Sequence, residues 1–213
     1  MATTVVLEKG KIVRIMGPAK VTVRNGTIKI LGVEFPKNSS VVINRFRSYA
    51  VKGVEDAELE VILGEGGSIE EPGKGEEVID EWEAAVDKIL EKIPTSVMVV
   101  GPVDSGKTTF TTLVANKALS KSLRPAIIDG DVGQCDLAPP GFVSLTALTK
   151  PVLWLRELMG EEYRIVGYIT PSAAPHKLIK ALMELMAEAR KRGYEAVSYT
   201  HLRAHETSLH LVC

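Results

Sequence analysis

The sequence predicts two domains in series: a small all-β sandwich or barrel, then an α/β domain with a parallel sheet and helices on both faces. Three observations carry this. Residues 1–64 alternate apolar and polar side chains in short runs broken by Gly, Pro and Asn, the punctuation of strands. Residues 65–75 are rich in Gly and Glu and read as a linker, because that composition buries little apolar surface. From residue 76, helix-period segments alternate with continuous apolar runs, as in a sheet covered on both sides. With 213 residues and 45% hydrophobic content the chain can fill such cores, and a disordered chain is excluded.

In the first domain, Val21-Thr22-Val23-Arg24 and Thr27-Ile28-Lys29-Ile30-Leu31 alternate as strands do. Asn25-Gly26 between them predicts a two-residue hairpin turn, since both residues tolerate positive φ. Further strands are expected at 40–43 and 57–63. Lys9, Lys11, Arg14, Arg24, Arg45 and Arg47 read as a solvated basic surface.

In the second domain, expected over 76–197, Val78, Ile79, Trp82, Val86, Ile89, Leu90 and Ile93 recur at helical spacing, and Pro94 stops the helix. Val97-Met98-Val99-Val100 reads as a buried strand, followed by a Gly-rich turn and a helix carrying Phe110, Leu113, Val114 and Leu119. Ala126-Ile127-Ile128 is a strand that ends in acids, and a strand is expected over 164–169. Lys177 to Arg192 is a helix with Leu178, Ile179, Leu182, Leu185, Met186 and Ala189 inward and Gly193 beyond its end.

Charge is nearly balanced, 26 bases against 27 acids, so a globally basic nucleic-acid coat is excluded. It is unevenly spread: residues 1–60 carry a net +4, 61–100 a net −7 and 101–213 a net +2. Two cysteines, Cys135 and Cys213, cannot build a disulfide framework or a four-cysteine zinc site. No apolar run approaches the ~18 residues of a membrane span, and the N-terminus lacks a signal-peptide pattern. The expectation is a cytoplasmic protein in a reducing compartment, with no membrane association.

The strongest chemical signal is Gly101-Pro102-Val103-Asp104-Ser105-Gly106-Lys107-Thr108, followed by Thr109. It fits G-x-x-x-x-G-K-[ST] without mismatch, between a strand and a helix, where a phosphate-binding loop must sit. Glycines let backbone N–H groups surround phosphate oxygens, and the helix N-terminus adds positive dipole. Lys107 is placed to reach the β- and γ-phosphates, and the Thr108 hydroxyl to bind Mg²⁺. A P-loop protein that binds a nucleotide's phosphates with Mg²⁺ follows. The second signal is Asp129-Gly130-Asp131-Val132-Gly133-Gln134, after a strand that should end in the same crevice. Asp131 is placed to hold the metal or accept a proton from an attacking hydroxyl.

In its order of motifs the chain resembles the polynucleotide 5′-hydroxyl kinases of the Clp/Grc type. The resemblance is carried by Gly101-Pro102 through Thr109, Asp129 through Gln134, Pro139-Pro140-Gly141, Gly167-Tyr168-Ile169-Thr170-Pro171 and the small β domain ahead of them. It covers residues 1–197. It implies transfer of the ATP γ-phosphate to the 5′-OH of RNA, and in some members of DNA, during RNA processing. It further implies that Lys107 and the loop backbone hold phosphates, Thr108 and Asp131 serve the metal, and Asp131 activates the hydroxyl. Gln134 and Asp129 would support the site. RNA 5′-OH ends are the implied partner.

After Gly193-Tyr194-Glu195-Ala196-Val197 the chain departs from that family, which continues the strand to an Asp-Thr end and then adds a clasp on the acceptor and an Arg-bearing lid. Instead, 198–213 holds three of the four histidines and resembles translated sequencing-adapter read-through, so a non-native tail is expected there. His201, His205 and His210 lack the spacing of a metal site. Two other functions fit a P-loop: a switch-type NTPase, for which no N-K-x-D is found (Asn116-Lys117-Ala118-Leu119 lacks the acid), and a non-catalytic ATP-binding scaffold in RNA processing.

Overall fold

The computed structural model describes residues 2–73, 75–102 and 105–203, with backbone alone for 201–203. The chain divides into two compact units, Met1–Glu83 and Ala84–Cys213.

The first unit is built from nine short strands: β1 (Ala2–Leu7), β2 (Ile12–Met16), β3 (Ala19–Asn25), β4 (Thr27–Ile30), β5 (Val33–Pro36), β6 (Ser40–Ile43), β7 (Ser48–Gly53), β8 (Ala57–Leu63) and β9 (Ser68–Glu70). They form two antiparallel sheets, ordered β1-β8-β3-β6 and β5-β4-β7-β2-β9. The period-2 pattern sends Val21, Val23, Leu59 and Val61 inward from one sheet, and Ile15, Ile28, Ile30 and Val51 from the other, all fully buried. Each such side chain contributes about 1.5–3 kcal/mol of transfer free energy.

Two expectations fail here. Asn25-Gly26 is not a hairpin turn, because β3 pairs with β6 and β8 while β4 pairs with β5 and β7. Only Gly26 has positive φ, whereas a type I′ turn needs it at both central residues. The pair instead carries the chain from one sheet to the other. A Cβ at Gly26 would collide with the Asp56 carbonyl, so close backbone approach is what the glycine serves. The two-residue hairpin lies one strand later, at Leu31-Gly32 between β4 and β5, with φ of 45° and 75°. Leu31 accepts that conformation because its side chain is buried.

The expected 65–75 linker also contributes structure. β9 pairs with β2, opposing Arg14 to Glu70, Ile15 to Ile69 and Met16 to Ser68. The acids that follow are partnered by bases of the strands: Glu77 by Arg14, Glu83 by Lys29 at 2.5 Å and Asp80 by Lys52 at 2.5 Å. The +4 and −7 segments thus neutralise each other in part, and the unit boundary falls inside the helix α1 (Ile79–Ile89) rather than in the Gly/Glu stretch.

The second unit holds β10 (Thr95–Gly101), α2 (Lys107–Ser120), β11 (Pro125–Asp129), β12 (Phe142–Ala147), β13 (Glu162–Ile165), α3 (Pro175–Lys191) and β14 (Ala196–Arg203). Its sheet runs β10-β14-β11-β12-β13. It is mixed rather than wholly parallel: β10, β14 and β11 are parallel, and β12 and β13 are antiparallel additions. The chain reverses after β11 without a crossover helix, and the connecting loop 130–141 is left at the end of the sheet. Ile127 packs toward α2 with Ala115, while Ala126 and Ile128 pack toward α3 with Leu178, Leu182 and Leu185. Covering on both faces is why β11 reads as an unbroken apolar run.

β13 stops at Ile165, short of the expected 164–169 strand, and Gly167 turns away at φ 81°. A strand crosses the expected boundary at 197/198. β14 continues through Arg203 as the second strand from the β10 edge, with Ser198 and Thr200 buried. Residues 204–213, including His205, His210 and Cys213, lie outside the described residues. Among those described, no helix is long and apolar enough to cross a membrane.

Candidate nucleotide-binding site

β10 and β11 flank β14 in register, so Val99, Thr200 and Asp129 stand level across the sheet. Two strand spacings separate the outer pair, roughly 10 Å. The chain beyond each of the two outer strands therefore emerges at one edge. Beyond β10 is the Gly101–Thr108 loop; beyond β11 is the turn containing Asp131.

In the loop, Gly101 closes β10 and Pro102 is exposed. Val103 and Asp104 lie outside the described residues. Ser105 Oγ donates to the Pro102 carbonyl at 2.9 Å, folding the loop back on itself. A Cβ on Gly101 would meet Ser105 Oγ at 2.7 Å, so this closure needs glycine there. Gly106 sits at φ 82°, the left-handed region, and begins α2 with no side-chain cap. Lys107, Thr108 and Thr109 form the first turn, whose N–H groups have no acceptor within the helix. That turn carries no acid, so nothing on it offsets the positive end of the helix. Lys107 Nζ donates to the Pro102 carbonyl at 2.6 Å. A helix N-terminus with free backbone N–H groups and an ammonium nearby is an arrangement that suits an anion.

Asp129, at the end of β11, is 4% exposed. Its Oδ1 accepts the Asp131 N–H at 3.1 Å and the Thr200 hydroxyl at 3.3 Å, and its Oδ2 accepts the Asp136 N–H at 2.7 Å. Burial raises its pKa above the usual carboxylate value, against those bonds. Asp129 thus organises the loop from beneath. Cys135 lies beside it, and burial together with that carboxylate pushes the thiol up to about 12.

Asp131 is half-buried, and its Oδ1 accepts the Gly133 and Gln134 N–H groups at 3.0 and 2.9 Å. One carboxylate oxygen shapes the turn, and Oδ2 is engaged by none of the described residues. Gln134 is exposed, and only its backbone joins this network. The sequence missed Thr200, whose hydroxyl supports Asp129 from the middle strand, because 198 onward read as tail. Asn116 is structural: its amide donates to Val152 O at 2.8 Å and accepts from Val152 N–H at 3.1 Å.

The donor set suits Mg²⁺, which takes hard oxygen ligands and usually keeps several waters. Thr108 and Asp131 offer oxygens. Among the described residues no cluster of three His, Cys, Asp or Glu could hold a metal.

Comparison with known proteins agrees with this geometry. Residues 101–201 match the family described as the mRNA cleavage and polyadenylation factor CLP1 P-loop. The polyribonucleotide 5′-hydroxyl-kinase of Pyrococcus horikoshii is 38% identical over 116 residues, 54% of this chain and 32% of that protein. The enzyme of the same name from Pyrococcus furiosus is 37% identical over 116 residues, 54% of this chain and 33% of that protein. The chain thus spans about a third of the length of these curated relatives. A solved Clp1p–Pcf11p complex aligns over 96% of this chain and 54% of that chain, with a TM-score of 0.69 and 18% identity, a likeness of fold. Over residues 101–201 the chain is thus similar in sequence to the CLP1 P-loop family, and its fold is like that of the solved Clp1p.

Proposed function

We propose that the chain is the nucleotide-binding part of a polynucleotide 5′-hydroxyl kinase, in which a small β unit precedes a P-loop unit and the ATP γ-phosphate passes to the 5′-OH of RNA. The carrying observation is that β10, which leads into the Gly101–Thr108 segment, and β11, which leads into the Asp131 turn, run parallel on either side of β14 and so end at one edge. The loop backbone and Lys107 would hold the phosphates, with Lys107 exchanging the Pro102 carbonyl for phosphate oxygen. Thr108 would hold Mg²⁺ directly and Asp131 through a bound water, and the ion would supply charge neutralisation at the phosphates. Asp131 Oδ2 would take the proton from the attacking 5′-hydroxyl while Oδ1 keeps the turn closed. Asp129 and Gln134 would maintain the turn. A cytoplasmic setting is part of the proposal and suits the free thiol of Cys135.

The test is incubation of the chain with γ-labelled ATP, Mg²⁺ and 5′-OH RNA or DNA oligonucleotides. Label on the RNA 5′ end supports the reading. ATP binding with no transfer to either acceptor refutes it for this chain and leaves an ATP-binding scaffold.

A further inference from the structure

We propose that Tyr168, with Lys177 beside it, is the platform on which a nucleobase of the acceptor strand stacks next to Asp131. This rests on the kinase reading and adds the surface that holds the acceptor.

Single exposed aromatics are common and need no explanation; here the placement matters. Tyr168 is 46% exposed in the loop after β13. That loop is strapped to the Asp131 turn through Gly141. The Gly141 N–H donates to Val132 O at 2.8 Å, and the Gly141 carbonyl accepts from Val166 and Gly167 at 2.9 and 3.0 Å. The two backbones also touch directly: a Cβ on Gly133 would lie 2.8 Å from Ile169 O. Tyr168 and Ile169 are therefore held against the turn that presents Asp131.

The chemistry of this patch fits a nucleotide. Lys177 Nζ stands 5.6 Å from the centroid of the Tyr168 ring, within cation–π range. It lies in the first turn of α3, which carries no acid. A ring face paired with an ammonium offers stacking to a base and charge to its phosphate, the combination that binds single strands without sequence preference. A 5′ kinase must accept many terminal sequences, and stacking tolerates them because every base has a π-face. Ile169, 64% exposed, widens the apolar surface beside the ring.

The test uses the whole chain with a 3′-fluorescein RNA oligonucleotide bearing a free 5′-OH, read by anisotropy with a non-hydrolysable ATP analogue and Mg²⁺. Tyr168→Ala should weaken RNA binding on the order of tenfold, while calorimetric affinity for the ATP analogue and the thermal melt stay unchanged. Tyr168→Phe should retain binding. An abasic substitution at the stacked nucleotide should weaken binding to the parent chain and add nothing in Tyr168→Ala, the signature of a direct pair. Lys177→Gln should lower the salt slope of binding by about 0.7. The inference is overturned if Tyr168→Ala binds RNA as the parent does, or if the parent binds the ATP analogue but no RNA. It is also overturned if Tyr168→Ala loses the ATP analogue instead, which would make the ring an adenine contact, or if only a protein binds there. Failure of the kinase reading shows separately, as absence of transfer by the parent chain.

Discussion

Ending the chain at Val197 should unfold the second unit, and ending it at Arg203 should not. Ser198 pairs with Val97 and Ile127, Tyr199 with Met98 and Ile128, and Thr200 with Val99 and Asp129. An interior strand uses both N–H and C=O of each residue, so these three carry about six ladder bonds. At about 0.5–1.5 kcal/mol net each, their loss costs about 3–9 kcal/mol. Asp129 would also lose the Thr200 hydroxyl while remaining buried, and Tyr199 would lose its packing under α3. The total is comparable with the whole stability of a domain, about 5–15 kcal/mol. β10 would lose the upper part of its one described neighbour, leaving the strand that feeds the phosphate loop unpaired there. Amide hydrogen exchange is the assay, with protection expected to vanish at Val97–Val99 and Ile127–Asp129 in the shorter chain alone. Equal protection in the two truncated chains would refute the reasoning and restore the boundary at 197/198.

Three further outcomes are expected. Lys107→Ala should leave the melt unchanged and weaken ATP·Mg²⁺ binding about tenfold or more in calorimetry, since it deletes a charge-assisted contact worth about 1.5–3 kcal/mol. Asp131→Asn should bind ATP nearly as the parent does, because its amide oxygen can still accept from Gly133 and Gln134, while transfer to 5′-OH RNA falls by about 10²–10⁴. Cys135, its thiol pushed up to about 12, should react slowly with iodoacetamide at pH 8 and much faster in urea, read at that residue by mass spectrometry. The sign for stability follows: the folded thiol holds its proton more tightly than the unfolded one, so stability present below pH 9 falls as pH rises from there toward about 12.

What could be read from the sequence was what adjacent residues determine. The phosphate loop is contiguous, its glycines act on their own backbone, and its flanking strand and helix announce themselves by apolar period. Hence the strand that ends at Gly101 and the helix that begins at Lys107 are both found where that pattern puts them. The Asp131 turn is local too, closed by bonds to residues two and three positions on. Distant partners are where reading along the chain failed. Asn25-Gly26 has hairpin composition, but its strands find separate sheets, and the I′-like geometry goes to Leu31, a residue that turn statistics disfavour and burial permits. Glu70 to Glu83 looks like a solvated acidic run until Arg14, Lys29 and Lys52 are seen across from it.

The same distinction governs the site. In the proposed reaction each half would use one local device, the loop after β10 for phosphate and the Asp131 carboxylate for the hydroxyl, and both segments stand out in the sequence. Bringing them to a common edge requires β14 between β10 and β11, which no local pattern in 198–203 announces. Bringing an acceptor to that edge requires a surface beside the carboxylate. The residues that build it, Gly133, Gly141 and Tyr168, are separated by up to 35 positions and joined only through the reversal of the chain after β11. The antiparallel return that breaks the expected parallel sheet is therefore the feature that straps the loop carrying Tyr168 to the Asp131 turn. β12 runs back and β13 returns, so the chain leading to Tyr168 leaves β13 at the edge where β11 ends.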